Sequence, residues 1–207
     1  MAAGAPAAHA PMVGFGPGTG LGLAVLAPLD ADRWRVLATE AGHQGFAPGD
    51  DLEVEILRFA RREHTFVSAE MILSGSGLVM LHRALSAIEG ARYHILSAPE
   101  ITQTGLSHDD PICVRTLEVF CAVMGGFAGD AAVAYGARGG VYVGGGVAQR
   151  LATILPHSPF EARFRERGPM SGYVAGVPAR LIRSQDAAFA GAAGLFHDTL
   201  HEKGSLL

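Results

Sequence analysis

The stretch VGFGPGTGLGLAVL, residues 13–26, decides the fold: two apolar runs flank the glycine-rich segment GPGTGLG (16–22). Glycine and proline punctuate a chain where it reverses, so this pattern predicts two strands joined by a glycine-rich turn. Such a turn leaves backbone N–H groups free to face phosphate oxygens, and the Thr19 hydroxyl adds a donor. No Gly-Lys-Ser/Thr follows, so it is not a P-loop. The glycine spacing, and a strand downstream in place of a helix, depart from the dinucleotide fingerprint. A plain hairpin turn satisfies the same residues.

Working outward, residues 34–38 read as a third short strand and 40–46 as a glycine-broken loop. Asp50 and Asp51 open a helix to about residue 63, with Leu52, Ile56, Leu57 and Phe59 on its apolar side. Residues 68–76 are polar and glycine-containing, and 78–88 read as a second amphipathic helix. Pro99 and Glu100 open a short helix after a Ser97 cap. Asp110-Pro111 opens a longer one, to about residue 135, apolar on most sides and therefore buried. Within it Gly125, Gly126 and Gly129 each cost roughly 1 kcal/mol relative to Ala and mark close packing. GVYVGGG (140–146) is a short buried strand ending in a glycine turn, with a helix over 148–155. Open α/β folds bind ligands at such strand–turn–helix junctions. Residues 179–182 form a last strand and 187–200 a terminal helix. The order predicts a mixed α/β fold without internal repeats.

Of the 207 residues, 49% are hydrophobic and 17% charged, which supports a sizeable core. A net charge of -4 and a pI near 6.1 give no electrostatic case for nucleic acid or a membrane surface. No apolar run is expected to reach the roughly 18 residues of a membrane span. Cys113 and Cys121 sit about two turns apart on one predicted helix, too far for a disulfide, and read as free thiols of a reducing compartment. The first residues, MAAGAPAAHA, lack the positive n-region and long apolar core of a signal peptide. Residues 1–11 read as a disordered leader or linker remnant, and 12–207 as the folded unit.

A second constellation is Glu40-Ala41-Gly42-His43 with Glu70. One carboxylate can accept hydrogen bonds from two neighbouring hydroxyls, a His can bond a third, and glycine lets the loop approach closely. Ordinary acidic surface loops account for the same letters. A metal reading of Glu40 and His43 lacks further ligands at the right spacing. A third constellation is Gly144, Gly145 and Gly146, where absent side chains let a purine and ribose lie against the backbone; a turn of unusual dihedrals is the plain alternative. The remaining histidines are scattered. His197 and His201 lie at i, i+4 without the carboxylate of an HExxH pattern. Ser74-Gly75-Ser76-Gly77 is not a nucleophile elbow, which argues against hydrolase chemistry.

Taken in order, GPGTGLG, EAGH followed by GFAP, SAEMILSGSGL, GARGGVYVGGG and SPFEARFRERG resemble the bacterial glucokinase family from about Met12 to the C-terminus. The thirty-residue step from Glu40 to Glu70 is similar to that between the family's two sugar-binding glutamates. The resemblance implies an α/β chain, the C-terminal large lobe of the actin-like/hexokinase (ribonuclease H-like) ATPase fold. It implies that Glu40, His43 and Glu70 hold glucose hydroxyls. Gly18, Thr19 and Gly20 would form the second phosphate-contacting turn, and Gly144, Gly145 and Gly146 the adenosine-side glycines. It further implies ATP and Mg²⁺, phosphorylation of glucose to glucose 6-phosphate, a cytoplasmic homodimer, and no nucleic-acid or membrane partner. The family's DxGGT hairpin and its Asn-Asp pair, which supplies a sugar contact and the catalytic base, do not occur in these residues. The chain is therefore expected to be the final two-thirds of such a kinase, without the N-terminal lobe and without useful turnover alone. A non-catalytic sugar-binding or regulatory module and a structural remnant are the alternatives.

Overall fold

The glycine-turn hairpin forms the middle of a five-stranded sheet of order β3-β2-β1-β4-β5. The computed structural model describes residues 1–30, 33–184, 186 and 191. Strands β1 (Met12–Pro17), β2 (Leu21–Pro28) and β3 (Trp34–Thr39) make an antiparallel meander. Strands β4 (Gly140–Val143) and β5 (Ala179–Leu181) add in parallel beside β1. The register Val13↔Val25, Phe15↔Leu23 and Val13↔Val141 puts the branched and aromatic residues on one face, where they are buried. Period-two alternation dictates this result. The opposite face carries Gly14, Ala24, Leu26, Val36 and Tyr142, and a cavity of about 1040 Å³ lies against it.

The helices pack on the apolar face, and capping chemistry marks most of their starts. Asp50 opens α1 (Asp51–Ala60) by accepting from Glu53 N at 2.8 Å. Ser68 opens α2 (Ala69–Ile72) and Ser74 opens α3 (Gly75–Ile88). The expected Ser97 cap of α4 (Ala98–Leu106) is a full capping box with Glu100. Asp110 caps α5 (Pro111–Ala134) through Ile112 N and Cys113 N. Three short helices follow: α6 (Gly146–Arg150), α7 (Phe160–Arg165) and α8 (Ser171–Val174). α1 stops before residue 63. The helix expected over 148–155 is instead α6, irregular turns and a 3₁₀ turn at Leu155–His157. The helix expected over 187–200 falls outside the described residues except for residue 191, and His197 and His201 fall outside them too.

α5 is the core helix, and it corrects one expectation. It is long and apolar enough to cross a membrane by length and composition, with a mean hydropathy of 1.5 over 18 residues. That window is 67% buried inside the protein, as a core helix requires. A Cβ on Gly125 would lie 2.2 Å from Phe160 O, and one on Gly129 2.6 Å from Phe164 O. These two glycines therefore let α7 press directly onto the α5 backbone. Gly126 has only arginine tips nearby and plays no such part.

The arginines of α7 and its exit turn tie distant segments together. Arg163 forks onto Glu53, Nη1 to Oε1 at 2.8 Å and Nη2 to Oε2 at 3.0 Å, and also reaches Asp50. The Glu53 side chain is 2% exposed and that of Arg163 12%. Burial opposes the Arg163 charge, but the hydrogen bonds and charge of Glu53, with Asp50, outweigh it and raise its pKa. Arg165 donates to the Val174, Val177 and Ala3 carbonyls. Residues 1–11, expected as a leader or linker remnant, make backbone contacts with the folded unit at Ala2, Ala3 and Ala7. Ala2 and Ala179 exchange both backbone hydrogen bonds at 3.1 Å, and Ala7 N donates to Arg138 O. Small residues at the start of the chain suit a close approach to the β5 edge, not only disorder.

Arg163→Ala strands Glu53 as an unpaired buried charge and is expected to cost about 3 kcal/mol. Arg58→Ala, at an exposed pair with Glu55, should cost less than about 0.5 kcal/mol. Urea unfolding midpoints of the two variants check the difference. Cys113 and Cys121 are free and fully buried, and burial pushes their thiols up to about 11 and about 12. At pH 8 on the order of one thiol in a thousand or fewer is ionised, so a thiol reagent should label neither until the chain is unfolded. Unfolded thiols ionise near their ordinary value of 9.0 while the folded ones keep their protons. Both therefore withdraw stability as pH rises from about 9 towards 12.

Candidate sugar and phosphate site

Two glycine segments meet at the carboxyl ends of β1 and β4, the place where open α/β sheets bind ligands. Gly144 N donates to Phe15 O at 2.8 Å. Gly145 has φ +82°, and a Cβ there would lie 2.4 Å from Pro17 O. The backbone thus takes a conformation that side-chain-bearing residues rarely adopt, at a contact with no room for one. Gly144, Gly145 and Gly146 line the cavity of about 1040 Å³ together with Glu40 and Gln149. Gln149 Nε2 donates to Ile182 O at 3.2 Å and Ser184 O at 3.3 Å, which fixes the chain beyond β5 beside them.

The turn of the hairpin, at this same end of β1, is built around Glu70. Its Oε2 accepts from Leu21 N at 2.7 Å. A Cβ on Gly20 would lie 2.5 Å from that oxygen, so glycine at position 20 is the condition for the carboxylate's approach. Gly75 N donates to Gly18 O at 2.8 Å, and Gly18 N to Gly20 O at 2.8 Å. These bonds join the turn to the start of α3 and set its shape. Thr19 is exposed at the tip of the turn.

The EAGH loop closes the arrangement. Thr39 Oγ1 donates to Leu23 O at 2.9 Å and accepts from Ala41 N at 3.3 Å, turning the chain from β3 into a 3₁₀ turn at Ala41–His43. That turn sets His43 Nδ1 4.0 Å from Glu70 Oε1 and His43 Nε2 4.0 Å from Glu40 Oε2. Both separations are too long for a direct hydrogen bond. The Glu70 side chain is 31% exposed, His43 60% and Glu40 91%, so the cluster runs from a seated base to an open rim. Two carboxylates flanking an imidazole form a set of acceptors and a donor suited to adjacent hydroxyls. Glu40, His43 and Glu70 are therefore together, with Gly18, Thr19 and Gly20 beside them. His43, Glu70 and that turn are not part of the wall of the larger cavity, which only Glu40 shares with the three later glycines.

Sequence reasoning missed Leu21 N, Thr39 and Gln149. The first is a backbone group without a letter of its own. The other two bond to carbonyls that only the sheet brings near. The Ser68 cap was also unread, although a serine before Ala-Glu is a helix N-cap signal.

Comparison with known proteins agrees with this architecture. The glucokinase family model matches residues 1–199, a span that includes the first eleven residues. The glucokinase of Chromobacterium violaceum is 47% identical over 197 residues, 95% of this chain and 56% of that protein. That of Neisseria meningitidis is 40% identical over 195 residues, 94% of this chain and 59% of that protein. The crystal structure of a glucokinase from an Antarctic psychrotroph superposes with a TM-score of 0.90 at 36% identity, covering 95% of this chain and 61% of that one. A ROK family glucokinase from Streptomyces griseus, solved with glucose and AMPPNP, shares the fold at a TM-score of 0.63 and 20% identity, over 91% of this chain and 61% of that one. The chain thus spans little more than half the length of these relatives, within the actin-like/hexokinase ATPase fold they share. By the family match and these identities, the chain belongs to the glucokinase family.

Proposed function

We propose that this chain carries the sugar-gripping part of a glucokinase, whose whole reaction is ATP-dependent phosphorylation of glucose to glucose 6-phosphate. The observation that carries the reading is the Glu40–His43–Glu70 cluster, drawn from three positions in the chain and seated on the Leu21 N–H. In this reading Glu70 Oε1, His43 and Glu40 bond successive hexose hydroxyls and fix the ring. Fixing a reactant in one orientation is the larger part of what phosphoryl transfer asks of a protein. Gly18, Thr19 and Gly20 offer N–H groups and a hydroxyl to phosphate oxygens. Gly144, Gly145 and Gly146 leave a bare backbone wall for the adenosine. ATP supplies the phosphoryl group when bound. Among the described residues no group of three His, Cys, Asp or Glu is placed to hold a metal ion, so these residues form no Mg²⁺ cage. The same reading brings a cytoplasmic homodimer.

A second reading, a sugar-binding or regulatory module without turnover, is favoured by one observation. These 207 residues contain no DxGGT motif and no asparagine, so the Asn-Asp pair of the family resemblance is absent from them. Loss of a base costs about 10²–10⁴-fold in rate. In a coupled assay the chain alone should show no ATP- and glucose-dependent turnover, and turnover near that of an intact glucokinase would remove the second reading.

Calorimetry with glucose tests the cluster itself. Glu70→Gln keeps an oxygen for Leu21 N but loses the charge that a sugar hydroxyl bonds. It is expected to weaken glucose binding about 10–100-fold, with an unfolding midpoint close to the parent's. Glu40→Ala, at the rim, should weaken it less. Unchanged affinity in Glu70→Gln would place the sugar elsewhere or nowhere.

A further inference from the structure

Behind the cluster, on the helix-covered face of the sheet, lies a recess of about 200 Å³ that the sugar reading does not use. Leu73, Phe127 and Ala131 make its apolar floor, and Gln44, Tyr135 and Asp130 stand at its rim. Well-packed interiors leave few voids larger than water, and a cavity of about 150 Å³ suffices to hold benzene. The rim adds convergent polar groups. Gln44 Nε2 donates to the Tyr135 hydroxyl at 3.3 Å, near the outer limit for such a bond. Arg167 holds one oxygen of Asp130 from outside.

The recess abuts the segment that sets the cluster. Ala69 N donates to Gln44 O at 2.8 Å, Phe46 N to Val67 O at 2.9 Å, and Gly45 pairs with Ser68. Gln44 directly follows His43 and Ala69 directly precedes Glu70. The residues joined across this short ladder are therefore the immediate neighbours of the two side chains that face each other at 4.0 Å. Gln44, Phe46 and Ala69 also line the recess. Whatever fills it touches the ladder from behind.

We propose that this recess is a second ligand site, for a single aromatic ring bearing one hydrogen-bonding group, and that its occupancy is felt at His43 and Glu70 through the Gln44–Ala69 hydrogen bond. The ring lies on Phe127 and Leu73, and its polar group bonds Tyr135 and Gln44. A ligand shifts an equilibrium only by its differential affinity for two states, here two settings of the ladder. The effect on glucose is reciprocal: glucose alters the ring's affinity by the same factor. The coupling clause rests on the sugar reading above, whereas the site itself does not.

Phenol is the probe. With seven heavy atoms it should bind with a Kd on the order of 1 mM. Titration followed by NMR should move the methyl resonances of Leu73 and Ala131. Ala134→Phe, at the exposed mouth of the recess on α5, should abolish those shifts while leaving the unfolding midpoint within a few degrees. Tyr135→Phe should weaken phenol several-fold and leave toluene unchanged. Shifts spread over other surfaces, or phenol binding unaltered by Ala134→Phe, would overturn the site. Saturating phenol should change the glucose Kd of the parent at least threefold and that of Ala134→Phe not at all. Phenol bound in the recess with an unchanged glucose Kd would overturn the coupling. A parent that binds phenol and shows no glucose heat refutes the sugar reading, and the coupling falls with it while the site stands.

Discussion

Glu70 is held by the protein with one carboxylate oxygen and offered outward with the other. The bond from Leu21 N to Oε2 exists only because the hairpin turn has no side chain at position 20. Everything else in the site follows from that seat. The EAGH loop must then bring His43 to the remaining oxygen, so it crosses β2 closely, and Thr39 bonds both the strand and the loop to turn it there. Glycine in this region costs conformational entropy. The gain is that backbone and carboxylate come within hydrogen-bonding distance without an intervening side chain.

The support behind the site is equally specific. The Arg163 fork onto Glu53 connects α7 to the first turn of α1 across 110 residues, and Gly125 and Gly129 let α7 lie directly on α5. Buried ion pairs add little net stability, because desolvation offsets attraction. Their consequence is geometric: one arrangement of α1, α5 and α7 leaves no charge unpaired, and any slip of a residue strands one. α5 in turn backs β1 through the edge-to-face contact of Phe15 and Phe127, with ring centroids 5.2 Å apart. The hairpin that seats Glu70 is thereby held from behind by the same helix.

How much of this was legible depends on the range of the interaction. The hairpin, the third strand, the Ser97 and Asp110 helix starts and the close packing at Gly125 and Gly129 rest on local rules of turn, cap and period, and the structure follows them. The grouping of Glu40, His43 and Glu70 was suggested by residue chemistry, and the family resemblance added the thirty-residue spacing and the ligand, since carboxylates thirty residues apart carry no local signature of contact. α7 was unread because its burial of Phe160 and Phe164 has too few residues to display a period. The contacts of Ala2 and Ala7 were unread because alanine and glycine look the same in a linker and in a segment laid against a strand edge. The membrane-like hydropathy of α5 was overlooked because Arg115, Glu118 and Asp130 interrupt the apolar run without lowering its mean far enough.

The cluster is assembled locally in this molecule. Every contact that assembles the cluster lies among residues 18–75: the Leu21 anchor, the Thr39 turn, the Gln44–Ala69 ladder and the Gly18–Gly75 bond. Assembly of the cluster therefore rests on one short stretch of the chain. Phosphoryl transfer differs in kind. It requires a base and a wall of donors placed across the substrate, with water excluded between. On this chain the rim residue Glu40 and the three glycines at the end of β4 open onto a cavity of about 1040 Å³ against the less covered sheet face. In the sugar-kinase reading proposed above, this face is one wall of a cleft, open where the transferred group would pass.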